Sequence, residues 1–201
     1  MDAQTKKYSL GYAVLELGII KYEGLNVEQL IQPILETLSN QTGESVFLSV
    51  IDKDKAITLD AVETKNTVRF SVSIGSIAPL YVGASYRSIL AFMPEEFIKA
   101  ILEPDKLRKY TDKTIIDLDR LNIELQNIRE QGWAVSKGEY TDDVTAFAVP
   151  IYKGEKVIGS LTVSGPIYRM PDDKVETYLS HLLEAKKKME EIILNYNLKL
   201  N

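Results

Sequence analysis

Two hairpin signatures, far apart in the chain, constrain its fold more than any other feature. Residues 45–51, Ser-Val-Phe-Leu-Ser-Val-Ile, are apolar and rich in β-branched side chains. The polar turn Asp52-Lys53-Asp54-Lys55 follows, and residues 56–62 then alternate in polarity. The pattern returns at 144–151 and 156–164 around the turn Lys153-Gly154-Glu155. Runs of this kind joined by short polar turns form hairpins, and hairpin strands are antiparallel. Further strands are expected at 67–72, where Val68, Phe70 and Val72 share a face, and at 133–137. One sheet of about six strands accommodates them all.

Helical periods fill the rest. Leu10, Val14 and Leu17, with Ala13 beside them, predict a short amphipathic helix over 8–20 that Gly18 weakens. Val27, Leu30, Ile31, Ile34, Leu35 and Leu38 predict a second helix, with Asn26 and Gln29 as a capping box. Pro33 is expected to kink it. Helices are also expected over 83–92, 95–102 and 118–131, the last opening near Asp117 and stopped by Gly132. A long amphipathic helix runs from Val175 to Tyr196, with Asp172 or Asp173 as its cap. The order of elements makes the chain α+β, an antiparallel sheet with helices packed on it.

The 201 residues suit one domain with a helical extension. No cysteine is present, so disulfides, thiolate zinc sites and iron–sulfur clusters are excluded. His181 is the single histidine and falls toward the polar side of the last helix. It is read as a surface residue. The net charge of −5 argues against a basic nucleic-acid-binding surface. The N-terminus is polar and lacks a signal-peptide core, and no apolar run approaches a membrane span. A cytoplasmic protein with no membrane partner is expected.

Catalytic chemistry is hard to find. There is no G-x-S-x-G, H-E-x-x-H or P-loop sequence. The pairs Asp142-Asp143, Asp172-Asp173 and Glu190-Glu191 read as caps or solvated faces, and Lys186-Lys187-Lys188 as a solvated helical face. Trp133 reads as a core residue at the start of a strand. A hydrolase built on Ser85 or Ser164 would lack a base at recognisable spacing. No catalytic residue, metal site or cofactor is assigned.

Two places have more shape. Gly83, Ala84 and Ser85 lie where a loop enters a helix, so they either cap the helix simply or offer free N–H groups to an anion. Thr162 and Ser164 alternate on a strand and point to one face. On a concave face they would reach a ligand; on the other they would be solvated.

Seven segments, kept in order along the chain, resemble those of one family. Tyr8-Ser9-Leu10-Gly11 with Leu17-Gly18 resembles a linker helix. Pro33-Ile34-Leu35 with Leu38, then Thr42-Gly43-Glu44-Ser45-Val46, resembles a P-x-L-x-x-L…TGETV stretch. The segment from Pro79-Leu80 to Leu90-Ala91-Phe92 resembles PLHATASGKALLAF. Tyr110 to Ile115 resembles LTPRTI, and Ile128 to Ala134 resembles IRRRGYA. Ala148-Val149-Pro150-Ile151 resembles AAPI, and Val163-Ser164-Gly165-Pro166 with Arg169 resembles VSGPxxR. The chain thus resembles the C-terminal effector-binding domain, GAF-like in fold, of IclR-type bacterial transcription regulators.

The resemblance implies a linker helix region at 1–22 and an effector-binding domain at 23–201, without the family's N-terminal winged helix-turn-helix. It implies a small-molecule effector, a carboxylate being one candidate, and DNA binding only through the missing domain. It also implies a homodimer or homotetramer. Ligand contacts implied for this chain are Ala84, Ser85, Tyr86, Ser136, Val144, Ala146, Thr162 and Ser164. The family's Gly-Lys is Tyr86-Arg87 here, bringing bulk and charge to the pocket. An acidic residue often found at position 136 is Ser136, and a usual glycine is Asp143. The alternative is a ligand-independent dimerisation domain whose pocket Tyr86 has closed.

Overall fold

The computed structural model describes residues 12–23 and 27–200. Six strands form one antiparallel sheet among them: β1 (Ser45–Asp52), β2 (Lys55–Val62), β3 (Ile77–Ala78), β4 (Ala134–Lys137), β5 (Val144–Lys153) and β6 (Lys156–Pro166). Their order across the sheet is β3-β2-β1-β6-β5-β4. Both expected hairpins are present, and each carries a register shift, at Leu48/Ser49 and at Ile151/Tyr152. The hairpins join along a central seam where Val46 faces Val163 and Phe47 faces Thr162.

The strand expected at 67–72 is not formed. The outer edge of β2 is already taken: Gly75 N–H donates to the Thr58 carbonyl, and Thr58 N–H donates to that of Ser76. Ala56 and Ile57 pair with β3. Residues 67–72 are left without a ladder and run as an irregular segment, with Val68 exposed and Phe70 turned onto the Phe47 ring, centroids 6.3 Å apart.

The helices are α1 (Tyr12–Glu23), α2 (Val27–Leu30), α3 (Gln32–Thr42), α4 (Gly83–Leu90), α5 (Glu95–Ile101), α6 (Leu118–Gln131) and α7 (Val175–Asn195). Pro33 does not kink a continuous helix. The chain breaks at Ile31, and Pro33 sits in the first turn of α3, where its missing N–H costs nothing. Gly43 ends α3 in a left-handed conformation, φ 73°. Asp117 caps α6 by accepting from Arg120 N–H at 2.9 Å, and Gly132 closes that helix. Neither Asp172 nor Asp173 caps α7: both lie in a 3-10 turn before it, and Asp172 instead pairs with Lys137.

The helix expected at 8–20 is displaced to α1, and Gly18 lies inside it. Leu10 and Asn26 are outside the described residues. The expected apolar face does not appear, because Tyr12, Val14, Leu15, Leu17, Ile19 and Ile20 surround the axis and all are exposed.

Side chains alternate across the sheet, so each face has its own core. On one face Val46, Leu48, Phe147, Leu161 and Val163 meet Leu35 and Leu38 of α3 and Leu182, Met189 and Ile193 of α7. Trp133 packs at its margin, half-buried. On the other face Ala146 and Ala148 meet Ile89 and Leu90 of α4 and Leu121, Leu125 and Ile128 of α6. The small side chains of that second face let α4 come down close to the strands.

Candidate ligand site

The start of α4 stands over the sheet and opens a cavity of about 280 Å³. Its floor carries Phe47 of β1, Ser136 of β4, Ala146 of β5 and Ser164 of β6. Residues 70–78 close one side and residues 139–141 the other. Val82, in extended conformation, precedes the helix, and no side chain caps it. The N–H groups of its first turn have no intrahelical partners, and Gly83, Ala84 and Ser85 of that turn line the cavity. Gly83 begins the helix at φ +78°, a conformation that favours glycine.

Seven of the eight residues expected at the site line this cavity: Ala84, Ser85, Tyr86, Ser136, Val144, Ala146 and Ser164. Thr162 does not. It is fully buried beneath α4 and donates to the Ser85 hydroxyl at 2.8 Å, so it supports Ser85 from below. Ser88 holds the Ser85 carbonyl at 2.7 Å. Ser164 donates to the Thr145 carbonyl at 3.1 Å.

Tyr86 forms a wall rather than a plug. It is 8% exposed, and its hydroxyl meets that of Thr58 on β2. Burial raises its pKa, and the Thr58 hydrogen bond only partly opposes this. The phenol stays neutral at ordinary pH. The cavity is open with the ring in place.

Arg87 brings no free charge to the site. It is fully buried, and both its terminal nitrogens hold the Glu139 carboxylate, one of them at 2.7 Å. That same nitrogen, Nη2, also donates to the Val135 carbonyl at 3.1 Å. Glu139 lines the cavity, and no local pattern marks it because its partner is distant in the chain. The carbonyls of Gly138 and Glu139 accept from Thr111 and Thr114, each at 2.6 Å. The Tyr140 ring lies 4.9 Å from that of Tyr110. The wall at 139–141 is thus fastened from two directions.

Phe70, Val72, Ser76 and Ala78 also line the site, and the strand expected at 67–72 hides the first two. Asp143 adopts φ 58°, the left-handed conformation for which glycine is the usual residue and that aspartate tolerates. His181 is on α7, half-buried and across the sheet from the cavity. The titratable groups lining the cavity are Glu139 and two tyrosines, Tyr86 and Tyr140. Among the described residues no cluster could hold a metal ion, and no helix is long and apolar enough to cross a membrane.

Comparison with known proteins decides the kinship. Residues 21–191 match the family described as bacterial transcriptional regulator IclR, C-terminal. The chain belongs to the IclR family. It is 32% identical over 169 residues to the HTH-type transcriptional regulator KipR of Bacillus subtilis, covering 84% of this chain and 68% of that protein. It is 26% identical over 192 residues to the transcriptional repressor IclR of Escherichia coli, covering 94% and 69%. Thermotoga maritima IclR superposes with a TM-score of 0.82 at 28% identity, over 94% of this chain and 76% of that one. The C-terminal domain of E. coli KdgR superposes with a TM-score of 0.73 at 25% identity, over 84% and 98%. This IclR-family chain therefore shares its α+β fold with transcription regulators.

Proposed function

We propose that this chain is the effector-sensing and oligomerising part of an IclR-type regulator that works in the cytoplasm. It would modulate DNA binding by a winged helix-turn-helix domain, as a homodimer or homotetramer. The observation that carries this reading is the open cavity beneath the uncapped start of α4.

The lining points to the kind of effector. Apolar and aromatic walls surround a few hydroxyls and one line of backbone N–H groups, the usual build of a small-molecule site. Arg87, the one buried cation among the described residues, is spent on Glu139. A carboxylate in this site would rest on the N–H groups of Ala84 and Ser85, where the helix dipole favours negative charge. A monocarboxylate with an apolar body fits this better than a dianion.

An effector acts only by favouring one arrangement over another. Closure of residues 76–86 around the ligand would be passed to α1, which lies against α2. A thermal-shift titration with monocarboxylates tests the reading. Binding at 100 times the dissociation constant adds about 2.7 kcal/mol of stability. A saturable shift that Ser85→Pro abolishes is expected. A shift that survives Ser85→Pro overturns the role of the α4 N–H groups.

A further inference from the structure

We infer that Tyr86 sets the upper size limit of the effector. This rests on the sensing reading above and adds what that site would refuse. The ring projects from the first turn of α4, and its hydroxyl reaches Thr58 on β2. It therefore spans the gap between helix and sheet and lines the cavity together with Ser76 and Ala78. The segment that this stretch resembles has glycine at the same place, which would leave that gap open.

The size of the site follows. A cavity of roughly 150 Å³ accepts one benzene ring. The present 280 Å³ holds a single ring with a short polar substituent, or an aliphatic acid of similar bulk. Removing the Tyr86 ring adds about one more ring's volume. The end wall is also firm. The phenol is packed to 8% exposure beside Thr58, whose hydroxyl accepts from Ser76 at 3.2 Å. An oversized ligand would have to break those contacts. A carboxylate held at Ala84 and Ser85 fixes the other end, so Tyr86 measures length from a defined origin.

The test is a homologous series of straight-chain acids, acetate to dodecanoate, with benzoate and 2-naphthoate. Binding to the full chain is measured by calorimetry. In the unaltered protein affinity rises roughly fourfold per methylene, then drops once the chain meets the ring. Tyr86→Ala moves that drop to longer acids and admits 2-naphthoate. Tyr86→Leu moves it part of the way and serves if the alanine variant folds poorly. Tyr86→Phe keeps the ring and leaves the limit where it was. An unchanged limit in both Tyr86→Ala and Tyr86→Leu overturns the inference while leaving sensing intact. Failure of every acid to bind any of the four proteins overturns the monocarboxylate reading, and the inference with it.

Discussion

Arg87 of α4 grips both carboxylate oxygens of Glu139, although the two residues lie on either side of the α5–α6 region in the chain. Both are buried. Removing one member of a buried ion pair strands the other charge, at about 3–5 kcal/mol. Glu139→Ala is expected to lower unfolding stability by that amount, and Arg87→Met likewise. The double variant Arg87→Met/Glu139→Leu should recover much of the loss, because no lone charge remains. Urea denaturation of the three proteins checks this. A double variant as unstable as the sum of the singles would refute it.

Two glycines of β6 face obstacles of different kinds. A Cβ on Gly159 would stand 2.2 Å from the Ser49 carbonyl oxygen, which is backbone of the neighbouring strand. One on Gly165 would stand 2.2 Å from the Glu44 carboxylate, the far end of a side chain. Overpacking typically costs about 1–3 kcal/mol. Gly159→Ala is expected at or above the top of that range, because the sheet seam must part. Gly165→Ala should cost less in packing, but it should break the Glu44–Arg169 pair, now 2.6 and 2.8 Å. Denaturant midpoints rank the two, and adding salt should weaken only the ordinary protein relative to Gly165→Ala.

Burial holds Tyr86, Tyr152 and Tyr178 above the ordinary tyrosine pKa of 10.0. The folded protein keeps these protons at pH values where the unfolded chain has begun to release them. Their contribution is complete below about pH 10 and is lost as the pH rises beyond it. Absorbance titration of phenolate should show a delayed fraction that collapses together with the fold. Tyr86→Phe should reduce that fraction and make the alkaline loss of stability shallower.

The contrast between two helix starts is also measurable. Asp117 donates nothing but accepts the Arg120 N–H, so Asp117→Ala should cost about 1 kcal/mol. Asp173→Ala, before α7, should cost little, since no side-chain cap exists there. Thermal melts of the two variants check this, and equal losses would overturn it.

The two hairpins, α6 with its cap and stop, and the long last helix were legible because each is specified by residues close together in sequence. The site was legible in part. Ala84, Ser85 and Ser164 carried the signal of small or hydroxyl-bearing residues at a helix start and on a strand. Thr162 carried the same signal and faces the same side, but sequence spacing does not say that α4 descends onto it. Glu139 and Phe70 were missed for a shared reason. What places them is a partner far along the chain, Arg87 for one and Phe47 for the other. Pro33 misled through its neighbours, whose apolar spacing runs on across a break at Ile31.

The seam between β1 and β6 has one more consequence. Everything from Lys53 to Glu155 lies between the strands that meet there. Contacts of such long reach form late, after the intervening chain has ordered or looped out. During synthesis, β1 must wait with one edge unpaired until nearly the whole polypeptide has emerged. The cavity floor draws on β1, β4, β5 and β6 together, so no fragment that stops before β6 contains it. A truncated or half-made copy would have no site to fill, and so could not compete with the finished protein for its effector.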